Sequence, residues 1–280
     1  MSELDLNQLQ SAAFIGGGNM AVALISGLTR RGFPAERIVV ADPVPDARLR
    51  LHTEFGARPA TDNGHAVLNA EVVILAVKPQ YLQAVAEEIA PHLPAASLVI
   101  SIAAGIPHAA LTRWLGARNT VIRTMPNRPA FNGCGATALY APPGADSAQR
   151  ALAQAIMNAV GTTVWVAQES QLDTVTALSG SGPAYFFLLM EALEAAAHER
   201  GLPAEVAHEL TLQTALGAAQ MARQSHDPLA TLREQVTSKG GTTAAALAVF
   251  DAAGLRAIVA AALAAADQRS SELAAQFAAS

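Results

Sequence analysis

Up to about Val166 the chain alternates short apolar runs with stretches of mixed apolar and polar character. The runs cover residues 12–15, 38–41, 72–76, 98–102, 120–124, 135–139 and 162–166. Several are apolar throughout, which suits strands covered on both faces, as in a parallel sheet. Between them the pattern predicts helices over 19–31 before Gly32, over 81–90 behind Pro79, and over 148–159 with Ser147 as N-cap and Gly161 as the stop. Strand-then-helix repetition reads as a doubly wound α/β, Rossmann-type domain.

After Gln168 the β pattern vanishes. Alanine, leucine and glutamate follow, broken at Gly180 to Pro183, Gly201-Leu202-Pro203, Asp227-Pro228, Gly240-Gly241 and Gly254. This predicts a second, all-helical domain over 168–280 behind an α/β domain over 1–167. The stretch 184–197 is apolar except for Glu191 and Glu194, which lie three apart on one stripe. So apolar a helix needs cover on most sides, and a domain of about 110 residues has little to give. The expected cover is a second subunit.

Composition sharpens this picture. The 280 residues include 63 alanines, with 51% hydrophobic and 15% charged residues, so the chain folds around a core of small side chains. A net charge of −5, with no basic run longer than Arg30-Arg31, speaks against nucleic acid as a partner. The opening residues carry acids and no basic, apolar leader, and the longest low-polarity run, 257–266, is half of the ~20 residues that span a bilayer. A cytoplasmic protein without membrane contact is expected. The single cysteine, Cys134, excludes an intrachain disulfide and reads as small filler.

Directly behind the first run stands Gly16-Gly17-Gly18-Asn19-Met20-Ala21, matching G-x-G-x-x-A at the start of a helix. Gly16 allows the tight turn, Gly18 lets amides approach a pyrophosphate, and Ala21 permits close helix–strand packing. Asp42, at the end of the second run, is placed to hydrogen-bond the ribose diol of NAD(H), whereas Arg48 and Arg50 follow within reach of a 2′-phosphate; the choice stays open. Ala76-Val77-Lys78-Pro79-Gln80 and Ser101 to Gly105 also end strands, where ligands of open α/β sheets bind. Lys78 reads as a general acid or, more simply, as part of a turn whose shape Pro79 sets. Arg123-Thr124-Met125-Pro126-Asn127 ends another strand in a stiffened loop on the nicotinamide side.

Other constellations fail. His198-Glu199 and His208-Glu209 begin like H-E-x-x-H, but Leu202 and Leu212 stand where the second histidines belong. Around Ser181 the nucleophile-elbow motif lacks its first glycine, position 179 being Ser, and no strand precedes it. No metal site or hydrolase triad is expected.

Two segments of the helical half are distinctive: Leu172-Asp173-Thr174-Val175-Thr176-Ala177-Leu178-Ser179-Gly180-Ser181-Gly182-Pro183-Ala184-Tyr185, and Val236-Thr237-Ser238-Lys239-Gly240-Gly241-Thr242-Thr243. With the glycine turn, Val77 to Gln80 and Arg123 to Asn127, they closely resemble pyrroline-5-carboxylate reductases over nearly the whole chain. The resemblance implies reduction of (S)-1-pyrroline-5-carboxylate to L-proline by NADPH, with NADH as the alternative. It also implies dimers through the helical domains, assembled into decamers. It carries over Gly16, Gly18, Asn19 and Met20 as cofactor ligands, with Asn63, Ala76, Val77, Lys78 and Pro79 beside them. Ser238, Gly241, Thr242 and Thr243 would form the substrate loop.

The residues of that loop agree. They open a helix expected over 243–253, so amides and hydroxyls converge where a carboxylate fits. Thr243 is placed to contact the ring nitrogen as the catalytic residue, or else serves only as the N-cap. Hydride transfer to a protonated imine asks mainly for positioning and charge complementarity.

Overall fold

The computed structural model describes Leu6 and residues 9–278; most of the stretch read above as lacking a leader lies outside them. The first part is a sheet of eight strands: β1 Ala12–Ile15, β2 Ile38–Ala41, β3 Arg58–Pro59, β4 Val72–Leu75, β5 Leu98–Ser101, β6 Val121–Met125, β7 Gly135–Tyr140 and β8 Gly161–Trp165. Their order is β3-β2-β1-β4-β5-β6-β7-β8. Helices α1 Asn19–Arg30, α2 Pro45–Phe55, α3 Asn63–Val67, α4 Pro79–Ile89, α5 His108–Leu115 and α6 Ser147–Asn158 connect them, and α7 Gln171–Val175 follows. Residues of β1, β4 and β5 are buried on both faces. Phe14 joins Leu24, Ile25 and Leu28 of α1 in one core, while Ile15 joins Leu75, Leu82 and Ile89 in the other. Continuous apolar runs therefore mark strands sandwiched between two helical layers.

Four details depart from the sequence reading. β6 and β7 pair antiparallel, because the connection between them is too short for the dozen or more residues that a parallel crossover needs. β3, two exposed residues beside Val39 and Val40, has no apolar run to announce it. The N-cap of α6 is Asp146, not Ser147: its carboxylate accepts the Gln149 amide at 2.7 Å, and the Gln149 side chain returns to the Asp146 amide in a capping box. Gly161 opens β8 rather than ending a helix, and a Cβ there would collide with the Gly135 backbone.

The remaining helices are α8 Gly182–Glu199, α9 Ala204–Gln224, α10 Leu229–Gln235, α11 Thr242–Ala252 and α12 Leu255–Ala278. Their breaks fall at the glycines and prolines of the sequence. The chain forms two compact units, Met1–Ser181 with Ala266–Ser280, and Gly182–Ala265. The boundary at 167/168 follows the last strand; the units divide at Gly182 because α7 packs against β6 and β7. In the first unit Ser270 of α12 donates to Asp173 at 2.7 Å. In the second, α8 packs on α9, and His208 meets Glu194 at 2.9 Å. On α8, Phe186, Phe187 and Leu188 are each about two-thirds exposed. Among the described residues no single helix is long and apolar enough to cross a membrane; α11 and α12 pass that test only as a pair bent by 53°.

Candidate active site

Strand register builds the first half of the site. Ile15 lies opposite Ala41 on one side and Leu75 on the other, and Leu75 lies opposite Ser101. The residues that leave these strands, Gly16, Asp42, Ala76 and Ile102, therefore emerge side by side. Backbone bonds fix them: Gly16 N–H donates to Ala41 at 2.7 Å and Ala76 N–H donates to Ile15 at 2.8 Å. Strand order reverses between β1 and β4, the position where open α/β sheets bind ligands.

Gly16 has φ +104°, and a Cβ there would sit 2.7 Å from the Ala76 carbonyl oxygen. Only glycine fits this turn. At Gly18, by contrast, a Cβ would meet nothing within 4 Å, and Gly18 and Asn19 are exposed at the start of α1, which no side chain caps. Open space before free helix amides suits a pyrophosphate. A cavity of about 440 Å³ continues from the turn, with Gly16, Asp42, Asn63, Val77 and Tyr81 in its wall. These residues fit a dinucleotide.

The structure gathers Gly16, Asp42, Asn63 and Val77 at one cavity. Met20 and Ala76 are half-buried beside the turn, Lys78 is exposed as the residue preceding α4, and Pro79 is the first residue of that helix. Asp42 also does something the motif did not announce. One carboxylate oxygen accepts the Gly17 amide at 2.7 Å and the other accepts the Val44 amide at 2.8 Å, so Asp42 pins the glycine turn to the end of β2. Tyr81 and Glu88 are wall residues that the sequence reading missed; Tyr81 stands exposed one turn into α4, and an exposed aromatic on a helix start is the one signal that marks it.

The second candidate group lies in the other unit. Gly240 has φ +72° and Gly241 is the N-cap of α11, with no side chain capping the helix. The free amides at its start are therefore open to a ligand. A Cβ on Gly241 would collide with the Ser238 hydroxyl, so the glycine lets that hydroxyl fold over the loop. Thr242 and Thr243 are the first two residues of the helix. Thr243 is thus not the N-cap, and the helix begins one residue earlier than expected.

Asn127 joins two of the sequence motifs. Its side chain accepts the Ala136 amide at 2.8 Å and donates to the Ser179 carbonyl at 3.0 Å. Ser179 belongs to a π-helical turn, Thr176–Gly180, behind α7. Such turns recur at functional sites. Further out, His108 is half-buried: burial pushes its pKa below the usual 6.5, the Glu169 carboxylate opposes this, and the Arg123 guanidinium adds to it.

A doubly wound sheet with a glycine turn at its switch point, an uncapped α1 and a 440 Å³ cleft defines a nicotinamide-dinucleotide-dependent oxidoreductase. Comparison with known proteins takes this further. Residues 11–105 match the model of the family "NADP oxidoreductase coenzyme F420-dependent", and residues 169–273 match "Pyrroline-5-carboxylate reductase dimerisation". The pyrroline-5-carboxylate reductase of Pseudomonas aeruginosa is 51% identical over 95% of this chain and 97% of its own length. That of Haemophilus influenzae is 46% identical over 86% and 89%. Among solved structures, the pyrroline-5-carboxylate reductase from Coxiella burnetii superposes with a TM-score of 0.91 at 43% identity, covering 95% of this chain and 98% of that one. The Plasmodium falciparum pyrroline carboxylate reductase with NADP bound gives 0.83 at 28% identity, covering 94% and 98%. The chain belongs to the pyrroline-5-carboxylate reductase family.

Proposed function

We propose that this chain reduces (S)-1-pyrroline-5-carboxylate to L-proline with NADPH, NADH being the alternative. The observation that carries the reading is the loop Ser238 to Thr243, which opens α11 without a side-chain cap, in a chain 51% identical to a named reductase. Residues 1–167 bind the dinucleotide in this reading, and 168–280 supply the substrate loop and the dimer interface. The bound dinucleotide supplies a hydride.

The protein's own residues do the positioning. The start of α11 and the hydroxyls of Ser238 and Thr242 hold the substrate carboxylate, with Gly241 keeping the approach open. The Thr243 hydroxyl accepts from the protonated ring nitrogen and fixes which face of the C=N bond is attacked. At the other site Gly16, Gly18, Asn19 and Met20 hold the pyrophosphate. Asp42, Asn63 and Ala76 to Pro79 line the way to the ribose and the nicotinamide.

The protein works in the cytoplasm as a homo-oligomer built from dimers, with a decamer as the larger assembly. Initial rates of NADPH and NADH oxidation by purified protein, with and without pyrroline-5-carboxylate, test the activity. Substrate-dependent oxidation is expected, and its absence with both dinucleotides refutes the reading.

A further inference from the structure

We infer that Arg48 is the residue that makes this cleft select NADPH over NADH: its guanidinium, held at the ribose end by the backbone carbonyl of Asp42, receives the 2′-phosphate. This deepens the reductase reading and rests on it. Arg48 donates from Nη1 to that carbonyl, and Asp42 stands in the cavity wall with Gly16. One N–H of the guanidinium is thereby engaged, and the rest of its planar fork stays free to bind a phosphate. Arg48 is half-buried, and among the described residues it has no carboxylate partner, so its charge is unanswered.

The structure separates Arg48 from Arg50. Arg50 pairs with Glu54 at 3.0 Å along α2, and two residues further along the helix it points about 200° round the axis from Arg48. Of the two arginines that the sequence puts within reach, only Arg48 is tethered at Asp42 and left uncompensated.

Asp42 then has a different part from the one the dinucleotide motif gives it. Its carboxylate oxygens accept the Gly17 amide at 2.7 Å and the Val44 amide at 2.8 Å, so the side chain closes the turn while the carbonyl orients Arg48. The cavity wall also carries Asp62 and Glu88, and no lysine or arginine. A 2′-phosphate brings about one to two negative charges to this end. Without Arg48 the charges it meets in the wall are all acids, so the preference hangs on one side chain. Its loss should turn a net attraction into a net repulsion.

Isothermal titration of the full protein with NADPH and NADH, and with 2′,5′-ADP and 5′-AMP as probes of the ribose end alone, tests this in the parent, Arg48→Ala, Arg48→Lys and Arg50→Ala. At about 50 mM salt Arg48→Ala is expected to weaken NADPH and 2′,5′-ADP on the order of 10-fold, while NADH and 5′-AMP stay within about 2-fold. Arg48→Lys should recover part of the loss, since the charge returns without the fork. Raising salt to about 0.5 M should shrink the parent's preference for NADPH. In Arg48→Ala the same salt should improve NADPH relative to NADH, because only repulsion from the wall acids is left to screen. Arg50→Ala should behave as the parent. Equal losses of both dinucleotides in Arg48→Ala would show that the arginine only shapes the turn through Asp42, and would overturn the assignment. Unchanged NADPH affinity in that variant, or a lost preference in Arg50→Ala, overturns it as well. Binding of neither dinucleotide by the parent overturns the reductase reading itself.

Discussion

Arg123 donates from Nη1 to Glu169 Oε1 at 2.6 Å, and the same oxygen accepts the His108 backbone amide at 2.5 Å. One carboxylate thus ties β6 to the first residue of α5 and to the turn before α7. Arg123 is buried to all but 9% of its side chain, whereas Glu169 keeps 30% of its own exposed. The pair therefore falls between an exposed bridge and a fully buried one. Glu169→Ala, which strands the guanidinium, is expected to cost about 2–3 kcal/mol in urea unfolding. Replacing both residues by methionine should cost less than this single change, because no unpaired charge stays behind. A double variant worse than Glu169→Ala would show that the pair itself contributes net stability.

His108 makes stability depend on pH in a definite direction. Its folded pKa lies below 6.5, chiefly through burial, so the unfolded chain binds the proton more readily. The contribution of this group is complete above the unfolded value and is lost as pH falls from about 6.5 through the folded value. Unfolding free energies measured between about pH 7.5 and 5.5 should fall more steeply in the parent than in His108→Gln. Parallel slopes would mean that burial of the ring does not set its titration.

Gly16→Ala tests the turn. The substitution puts a Cβ 2.7 Å from a backbone oxygen at φ +104°, where neither atom has a flexible end to move. Dinucleotide affinity should drop by at least about 10-fold, and stability by about 1–2 kcal/mol. Gly18→Ala, facing open space, should leave stability nearly unchanged while weakening dinucleotide binding. The contrast separates a glycine needed for the fold from one needed for the ligand.

These two glycines also show how far the sequence reaches. Their spacing and their place behind an apolar run were enough to locate the turn, because the motif is local and its geometry follows from residue type. Asn127 is different. Proline-rich context marked its loop, but its bonds to Ala136 and to Ser179, 52 residues away, depend on β6 and β7 running antiparallel and on a π turn that no periodicity announces. Asp42 was found for its reach toward a ribose, whereas its grip on Gly17 became visible only with the register of β1 and β2. Glu88 sits on an α4 face that reads as ordinary solvent-exposed helix until α3 is folded beside it. Chemistry carried within a few residues was legible; chemistry assembled by register was not.

The loop before α11 predicts a division between kcat and KM. If the Ser238 hydroxyl holds the carboxylate equally in ground and transition states, as proposed, Ser238→Ala should raise KM for pyrroline-5-carboxylate by about 5–10-fold with kcat little changed. Thr243→Val keeps the shape and removes the proposed contact to the ring nitrogen, so kcat should fall by at least about 10-fold. Steady-state kinetics at saturating dinucleotide decides. Equal effects on kcat and KM in both variants would argue that the loop shapes α11 and does not handle the two ends of the substrate separately.

The exposed apolar residues of α8 make a prediction about assembly. Phe186, Phe187, Leu188 and Leu189 are consecutive, and each is between about half and two-thirds exposed in the single chain. Four successive helical residues point about 100° apart, so apolar side chains project on nearly every side of the axis. A monomer with this much uncovered apolar surface would aggregate, and a self-complementary interface between two copies covers both helices at once. Light scattering at micromolar concentration should therefore give a dimer or a multiple of it. Paired charges at Phe187→Glu and Leu188→Glu should shift the protein to monomer or to precipitate. An unchanged oligomer in that variant would place the interface on another helix, and a monodisperse monomer of the parent chain would overturn the assembly altogether.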